Sequence, residues 1–98
     1  MSEKRILILR LRKKWWDQIK AGTKKVELRK QNDYWRKRLN NRKYDEIHLW
    51  LGYPNNTETD KLIIRKWNGY TIAPVLSEEF GPEPIGCFCI DVSQEVGQ

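Results

Sequence analysis

Alternation of apolar and polar residues recurs along the chain and predicts a series of short strands. The first begins with the apolar run Ile6-Leu7-Ile8-Leu9 and passes into alternation at Arg10-Leu11-Arg12, as in a central strand that emerges at a barrel rim. Later segments show strand-like patterns and are bounded by polar, glycine or proline residues. The predicted strands cover residues 4–12, 25–30, 45–53, 61–67, 70–75 and 85–92.

Two segments near the front of the chain follow helical spacing instead. In residues 13–21, two adjacent tryptophans precede an isoleucine by four and three positions, and Gly22 stands where a left-handed helix terminus belongs. A short helix of two turns is predicted there. Residues 32–39 can begin with Asn32 or Asp33 as the N-cap and are strongly basic, which predicts a helical turn or a loop.

Turn signals complete the predicted fold. Asn68-Gly69 separates two strands and predicts a two-residue type I′ hairpin, because both residues tolerate positive φ. Residues 77–84 contain one glycine and two prolines and predict an exposed loop, and a polar tail begins at about residue 93. About six short strands with one or two short helices near the N-terminus predict a single α+β, mainly β domain over residues 1–98, a small mixed β-barrel.

Positive charge is concentrated in the first half of the chain. The net charge of the 98 residues is +6, yet residues 1–44 carry 16 basic against 4 acidic side chains, and residues 45–98 carry 3 against 9. A basic half of this kind is the electrostatic footprint of a protein that binds polyanions. The alternative is a solvated basic face that keeps the protein soluble.

The apolar stretches, the two cysteines and the single histidine limit which compartments and cofactors are expected. The longest apolar stretch, Ile6 to Leu9, is far shorter than the roughly 18 residues of a membrane span, so we expect a cytoplasmic protein without a signal peptide. Cys87 and Cys89 lack further partners and are interpreted as buried small residues rather than a disulfide, metal or redox site. His48 is the single histidine, so no familiar zinc arrangement is available, and neither metal nor cofactor is expected.

The first predicted helix ends at a glycine and is followed directly by a charged strand. The segment that joins them, Gly22-Thr23-Lys24-Lys25-Val26-Glu27-Leu28-Arg29, matches the pattern G-x-K-x-x-E-x-R. This pattern resembles the signature of the ASCH family. The order of elements is also similar, with a strand, a helix, the signature and then a strand that begins Tyr44-Asp45-Glu46-Ile47. The resemblance implies a PUA-like β-barrel with a cleft between barrel and helices, used for RNA-related binding and in some members for hydrolysis.

By this resemblance, Lys24, Glu27 and Arg29 line the cleft. Their chemistry suits a nucleotide, because lysine and arginine form ion pairs with phosphate and the planar guanidinium of arginine can donate two hydrogen bonds to it. An ionised Glu27 between basic neighbours would accept a hydrogen bond from a base amino group such as that of cytosine. The alternative is a surface ladder in which Glu27 only neutralises those neighbours.

Aromatic residues interleaved with the basic ones add stacking surfaces for exposed bases. The alternative for each of these aromatic side chains is packing in the core. Because adjacent helical residues point about 100° apart, we expect one of Trp15 and Trp16 to be exposed and available for stacking on a base. The interleaved aromatic residues are Trp15, Trp16, Tyr34, Trp35 and Tyr44. The nucleic-acid-binding candidates are Arg10, Arg12, Lys14, Trp15, Trp16, Lys24, Lys25, Glu27, Arg29, Trp35 and Arg36.

Three functions remain open, and a module that binds RNA or a nucleotide ranks first. An RNA-processing hydrolase ranks second, with Thr23 as hydroxyl, Lys24 as base and Glu27 as base or orienting group. Within that class a ribonuclease is favoured, because the ASCH-like acetylcytidine amidohydrolases carry a threonine nucleophile at the position that matches Glu27. The third is a protein-interaction adaptor whose basic half docks an acidic partner.

Overall fold

The computed structural model describes residues 3–54, 57–77 and 80–96. This part of the chain contains six strands, two α-helices and one short 3₁₀ helix, so the prediction of an α+β, mainly β domain is confirmed. The elements are β1 (Ile6–Leu11), α1 (Lys13–Ala21), β2 (Val26–Lys30), α2 (Asp33–Leu39), β3 (Glu46–Leu51), a 3₁₀ helix (Thr59–Lys61), β4 (Leu62–Lys66), β5 (Tyr70–Val75) and β6 (Ile85–Asp91).

The strands form two three-stranded sheets. The first has the order β1-β3-β4, in which β1 runs parallel to β3 and β4 runs antiparallel to it. The second has the order β2-β6-β5 and is antiparallel throughout. Over the described strands, hydrogen bonding does not join the two sheets into one closed barrel. One edge of β1 and one edge of β2 therefore stay free of strand partners.

The hairpin predicted at Asn68-Gly69 is wrong. The strands on either side, β4 and β5, belong to different sheets, so the dipeptide crosses between sheets. Gly69 has a φ of 81°, but Asn68 does not share the positive φ that a type I′ turn requires of both residues. Instead, the Asn68 amide donates to Asp91 Oδ2 at 2.7 Å. Burial acts to raise the pKa of Asp91, but hydrogen bonds from Ser93 and Asn68 outweigh it and hold this pKa below its usual value.

Alternation along the strands creates the core between the sheets and α1. Odd-numbered leucines of β1 point inward, and Ile47 and Leu49 do so from β3, which pairs with β1 in register. From the second sheet, Phe88 and Ile90 are fully buried. Burying these apolar side chains supplies the main driving force for folding. The exposed side chains of β1 include Ile6 and Ile8, which belong to the opposite face.

Both predicted helices are present, and their ends follow the expected local chemistry. Helix α1 buries Trp16 and Ile19 and ends at Gly22, whose φ of 84° is the left-handed conformation that glycine adopts without steric cost. At the start of α2, the Asn32 side chain accepts a hydrogen bond from Trp35 N at 3.0 Å, a standard N-cap. The open choice between helix and loop at residues 32–39 is thus resolved as a helix.

The two cysteines differ in burial. Both cysteines are free thiols; Cys87 is fully buried, as expected, whereas Cys89 is only half-buried. Burial, together with the neighbouring Cys89, raises the pKa of the Cys87 thiol.

Among the helices of the described residues, none combines the length and apolar character needed to cross a membrane.

Candidate functional site

A cleft of about 740 Å³ opens beside the free edge of β1, between that strand, β2 and the two helices. Each of these elements contributes side chains, as do the segments that follow β1 and flank β3. The cleft is concave and large enough for a small ligand such as a nucleotide. Its lining residues are Ile6, Leu7, Ile8, Arg10, Leu11, Arg12, Trp15, Glu27, Arg29, Tyr34, Trp35, Arg38, Tyr44 and Tyr53.

Glu27 lies at the centre of the charged part of this cleft. Among the described residues it is the one charged residue that is buried, with 5% of its surface exposed. Its Oε1 lies 3.6 Å from Lys24 Nζ, and its Oε2 accepts a hydrogen bond from Arg29 Nη1. A buried carboxylate normally needs such compensation, because desolvation disfavours its charge. The three charged residues of the signature thus converge instead of fanning out into solvent.

The guanidinium of Arg29 is held in place by backbone acceptors as well as by Glu27. Its Nη1 donates to Leu28 O at 2.9 Å, and its Nη2 donates to Arg10 O at 3.1 Å. The second bond ties β2 to the free edge of β1, since Arg10 belongs to that strand. The guanidinium carbon also lies 5.2 Å from the ring centroid of Trp35, a distance typical of a cation–π contact.

Aromatic rings and cations alternate around the cleft. Arg10 lies over the ring of Tyr53 at 4.9 Å, and Arg38 lies over Tyr34 at 3.5 Å. Tyr34 in turn meets Trp35 edge to face, with ring centroids 4.9 Å apart. Because Tyr53 is 87% exposed, its ring offers a face that solvent or a ligand can reach.

Trp15 forms the corresponding surface on α1. Its ring lies 5.1 Å from Lys24 Nζ and 4.6 Å from Lys14 Nζ, so two lysines of the predicted set surround it. Trp16, its neighbour, points into the core and donates from Nε1 to Leu49 O at 3.0 Å. The helix therefore separates the pair, with Trp15 half-buried at the cleft and Trp16 away from it.

The structure places six predicted site residues outside the lining of the cleft. Lys24 contacts Glu27 and Trp15 but lines a smaller groove at the end of α1, and Lys14 lies against the ring of Trp15. Trp16 is a core residue, and the Thr23 hydroxyl donates to Gln18 O at 3.2 Å at the end of α1. Lys25 is exposed and lines smaller grooves beside β2, not this cleft. Arg36 points elsewhere on α2 and forms an ion pair with Asp33. Thr23 is thus poorly placed to act as a nucleophile on a ligand held beside Glu27.

Among the charged and aromatic residues that line the cleft, Arg38 and Tyr53 were not predicted as site residues from the sequence. Arg38 belongs to a basic run in which the pattern does not distinguish one cation from the next. Tyr53 belongs to the acidic half, and it reaches the cleft because β1 pairs in parallel with β3, with Leu11 opposite Leu51. A parallel pairing across more than thirty intervening residues has no local signal.

Positive charge and aromatic walls define the chemistry of the cleft. Four arginines and one glutamate line it, so their formal charges sum to +3. In the residues that the structure describes, no group of three or more histidine, cysteine or acidic side chains could hold a metal ion. Cations and flat rings suit ligands that combine phosphate with a π surface.

Comparisons with protein-family models, with curated proteins and with solved structures find no match to this chain.

Proposed function

We propose that this protein binds RNA or a nucleotide in the cleft beside β1. The observation that carries the proposal is the convergence of Lys24 and Arg29 on the buried Glu27, which with Arg29 lines a concave surface with aromatic walls. A surface ladder of charges would leave Glu27 exposed, but Glu27 is buried at the cleft. Burying a carboxylate costs stability unless it is paired, and its position beside a cavity suits ligand recognition.

In this proposal, the base and the phosphate occupy different parts of the cleft. A base stacks against Trp15 or Trp35 and donates an amino hydrogen to Glu27, as an unpaired base does in RNA-binding sites. The phosphate meets the exposed arginines, Arg10 and Arg12, whose planar forks match phosphate oxygens. Arg29 serves mainly to orient Glu27, because backbone carbonyls already occupy much of its hydrogen-bonding capacity.

We also propose kinship with the ASCH and PUA-like domains. Support comes from Glu27 and Arg29 of the signature, which line a cleft between sheet and helices, as the resemblance implies, whereas Lys24 contacts Glu27 from outside that lining. The two free cysteines agree with a reducing, cytoplasmic location. Fold-level analogy does not establish an activity, so the cleft residues carry the functional proposal.

The experiment compares two variants of the same helix, Arg38→Gln and Arg36→Gln. Both remove one positive charge from α2, but only Arg38 lines the cleft. Binding of short unstructured RNAs and of nucleoside monophosphates is followed by fluorescence anisotropy or by intrinsic tryptophan fluorescence. We expect Arg38→Gln to weaken binding several-fold more than Arg36→Gln. Equal effects of the two variants, or no binding by the wild type, would refute the proposed site.

A hydrolase remains the second candidate, because Lys24 Nζ lies beside the Glu27 carboxylate in a partly buried position. The test incubates wild type and Lys24→Ala with labelled RNA and modified nucleosides. Turnover that the variant loses would establish catalysis by this pair. Binding without turnover supports the binding module, and a protein partner retained after nuclease treatment would favour the adaptor.

A further inference from the structure

Two smaller grooves continue from the cleft along the start of β1. A groove of about 710 Å³ shares Ile6 and Tyr44 with the cleft, and a further one of about 560 Å³ shares Arg5 and Arg42 with the first groove. The cleft and the grooves are therefore adjacent, and together they are called the path past the N-terminal end of β1. The additional lining residues of the two grooves are Arg5, Asn40, Asn41, Arg42, Lys43 and Tyr70.

Three of the side chains that extend this path are cations with no ion-pair partner among the described residues. Arg5, Arg42 and Lys43 are all exposed, and within the residues that the structure describes none of them forms an ion pair. Of the residues that the structure describes, no acidic one lines either groove. Three unpaired cations along concave surfaces create a positive potential that attracts a chain of negative charges.

Aromatic side chains along the path are held in fixed positions. Tyr44 donates from its hydroxyl to Arg38 O and packs edge to face on Trp67, with ring centroids 5.1 Å apart. The Tyr70 hydroxyl donates to Leu39 O at 3.1 Å. Rigid rings beside cations are typical of surfaces that bind single-stranded nucleic acids.

We propose that the ligand is a single-stranded RNA segment of about four nucleotides that runs from the cleft past the N-terminal end of β1, rather than an isolated nucleotide. This inference rests on the proposed function. β1 spans six residues, or roughly 20 Å, which exceeds the length of one nucleotide. A single strand is required, because a base can reach the aromatic walls only when it is unpaired and unstacked. One base occupies the cleft, and the adjoining phosphates meet Arg5, Arg42 and Lys43.

The first test is a series of labelled unstructured RNAs of one, two, four and six nucleotides. We expect affinity to rise from one to four nucleotides and to level off by six. A mononucleotide that binds as tightly as the tetranucleotide would overturn the inference and leave the proposed nucleotide site intact. Failure of every RNA to bind would overturn both.

The second test compares Lys43→Gln with Lys66→Gln. Both residues are exposed lysines, so the two variants lose the same charge, but Lys66 belongs to β4 and lines neither the cleft nor the two grooves. A phosphate contact to a single strand contributes about 0.7 to the log-log salt slope, which is about fivefold in affinity per tenfold change in salt. We therefore expect Lys43→Gln to weaken tetranucleotide binding more than Lys66→Gln at 0.1 M salt, and this difference in affinity should shrink about fivefold between about 0.1 M and about 1 M salt. Equal losses in the two variants would refute the path.

Arg42 provides an independent check on the same groove. Arg42→Lys keeps the positive charge, whereas Arg42→Gln removes it. The charge-removing variant should lower the salt slope for the tetranucleotide by about 0.7, and the lysine variant should preserve it. Unchanged slopes in both would show that no phosphate contacts this residue.

Discussion

The substitution Glu27→Gln tests whether the carboxylate holds the charged centre of the cleft together. Glutamine keeps the shape of the side chain but removes the negative charge that lies between Lys24 and Arg29. Two cations would then face each other across a neutral amide in a partly buried site. Repulsion and lost compensation both destabilise the folded state.

The expected loss follows from the burial of the three side chains. Breaking a buried ion pair by removing one partner costs about 3 to 5 kcal/mol. Here the Lys24 and Arg29 side chains keep 15% and 17% exposure, so water solvates part of their charge. We therefore expect the lower end of that range, about 3 kcal/mol, from a total of about 5 to 15 kcal/mol for a domain of this size.

Urea unfolding measured by far-UV circular dichroism provides the assay. With a slope of about 1 to 3 kcal/mol per molar urea, a loss of 3 kcal/mol lowers the midpoint by roughly 1 to 3 M. Asp17→Asn is the control, because Asp17 pairs with Lys13 and the two side chains are 46% and 75% exposed, and such pairs contribute about 1 kcal/mol or less. If Glu27→Gln costs no more than Asp17→Asn at an unchanged slope, the carboxylate does not stabilise the site and the reasoning fails.

Three further predictions concern local chemistry. Gly22→Ala should cost about 1 to 2 kcal/mol by urea unfolding, because alanine is strained at a φ of 84°, and Gly22→Asn should cost less. The pKa of Asp91 is lowered on folding, so its contribution to stability is present above about pH 3.8 and lost as the pH falls through the folded pKa. Asp91→Asn should therefore lose less stability than wild type between neutral pH and about pH 2, and equal losses would contradict this. In the native protein, iodoacetamide followed by peptide mass spectrometry should modify Cys89 before Cys87, since the Cys87 thiol is fully buried and its pKa is raised; faster modification of Cys87 would contradict the burial.

Local features of the chain were largely predictable from sequence. Sequence patterns identified the six strands of the described residues. Apolar-polar alternation marked β2 and β3, because residues on a half-buried strand alternate between core and solvent, and turn or loop residues bounded β4, β5 and β6. Gly22 marked the end of α1 for a local steric reason, and Asn32 marked the start of α2 through a local hydrogen bond. The signature also singled out Lys24, Glu27 and Arg29, which the structure brings together.

The pairing of strands and the composition of the cleft were decided by tertiary structure. Periodicity states which face of a strand is buried but not which strand lies beside it, so Asn68-Gly69 was misread as a hairpin. The same non-local pairing of β1 with β3 brings Tyr53 to Arg10, although the two are distant in sequence. Likewise, the two tryptophans of α1 look alike in the sequence, and only the packing of the helix sends one into the core and leaves the other at the cleft. The sequence alone thus determined the elements and the charged trio, whereas long-range packing, through competition for buried surface, decided which aromatic and basic side chains surround it.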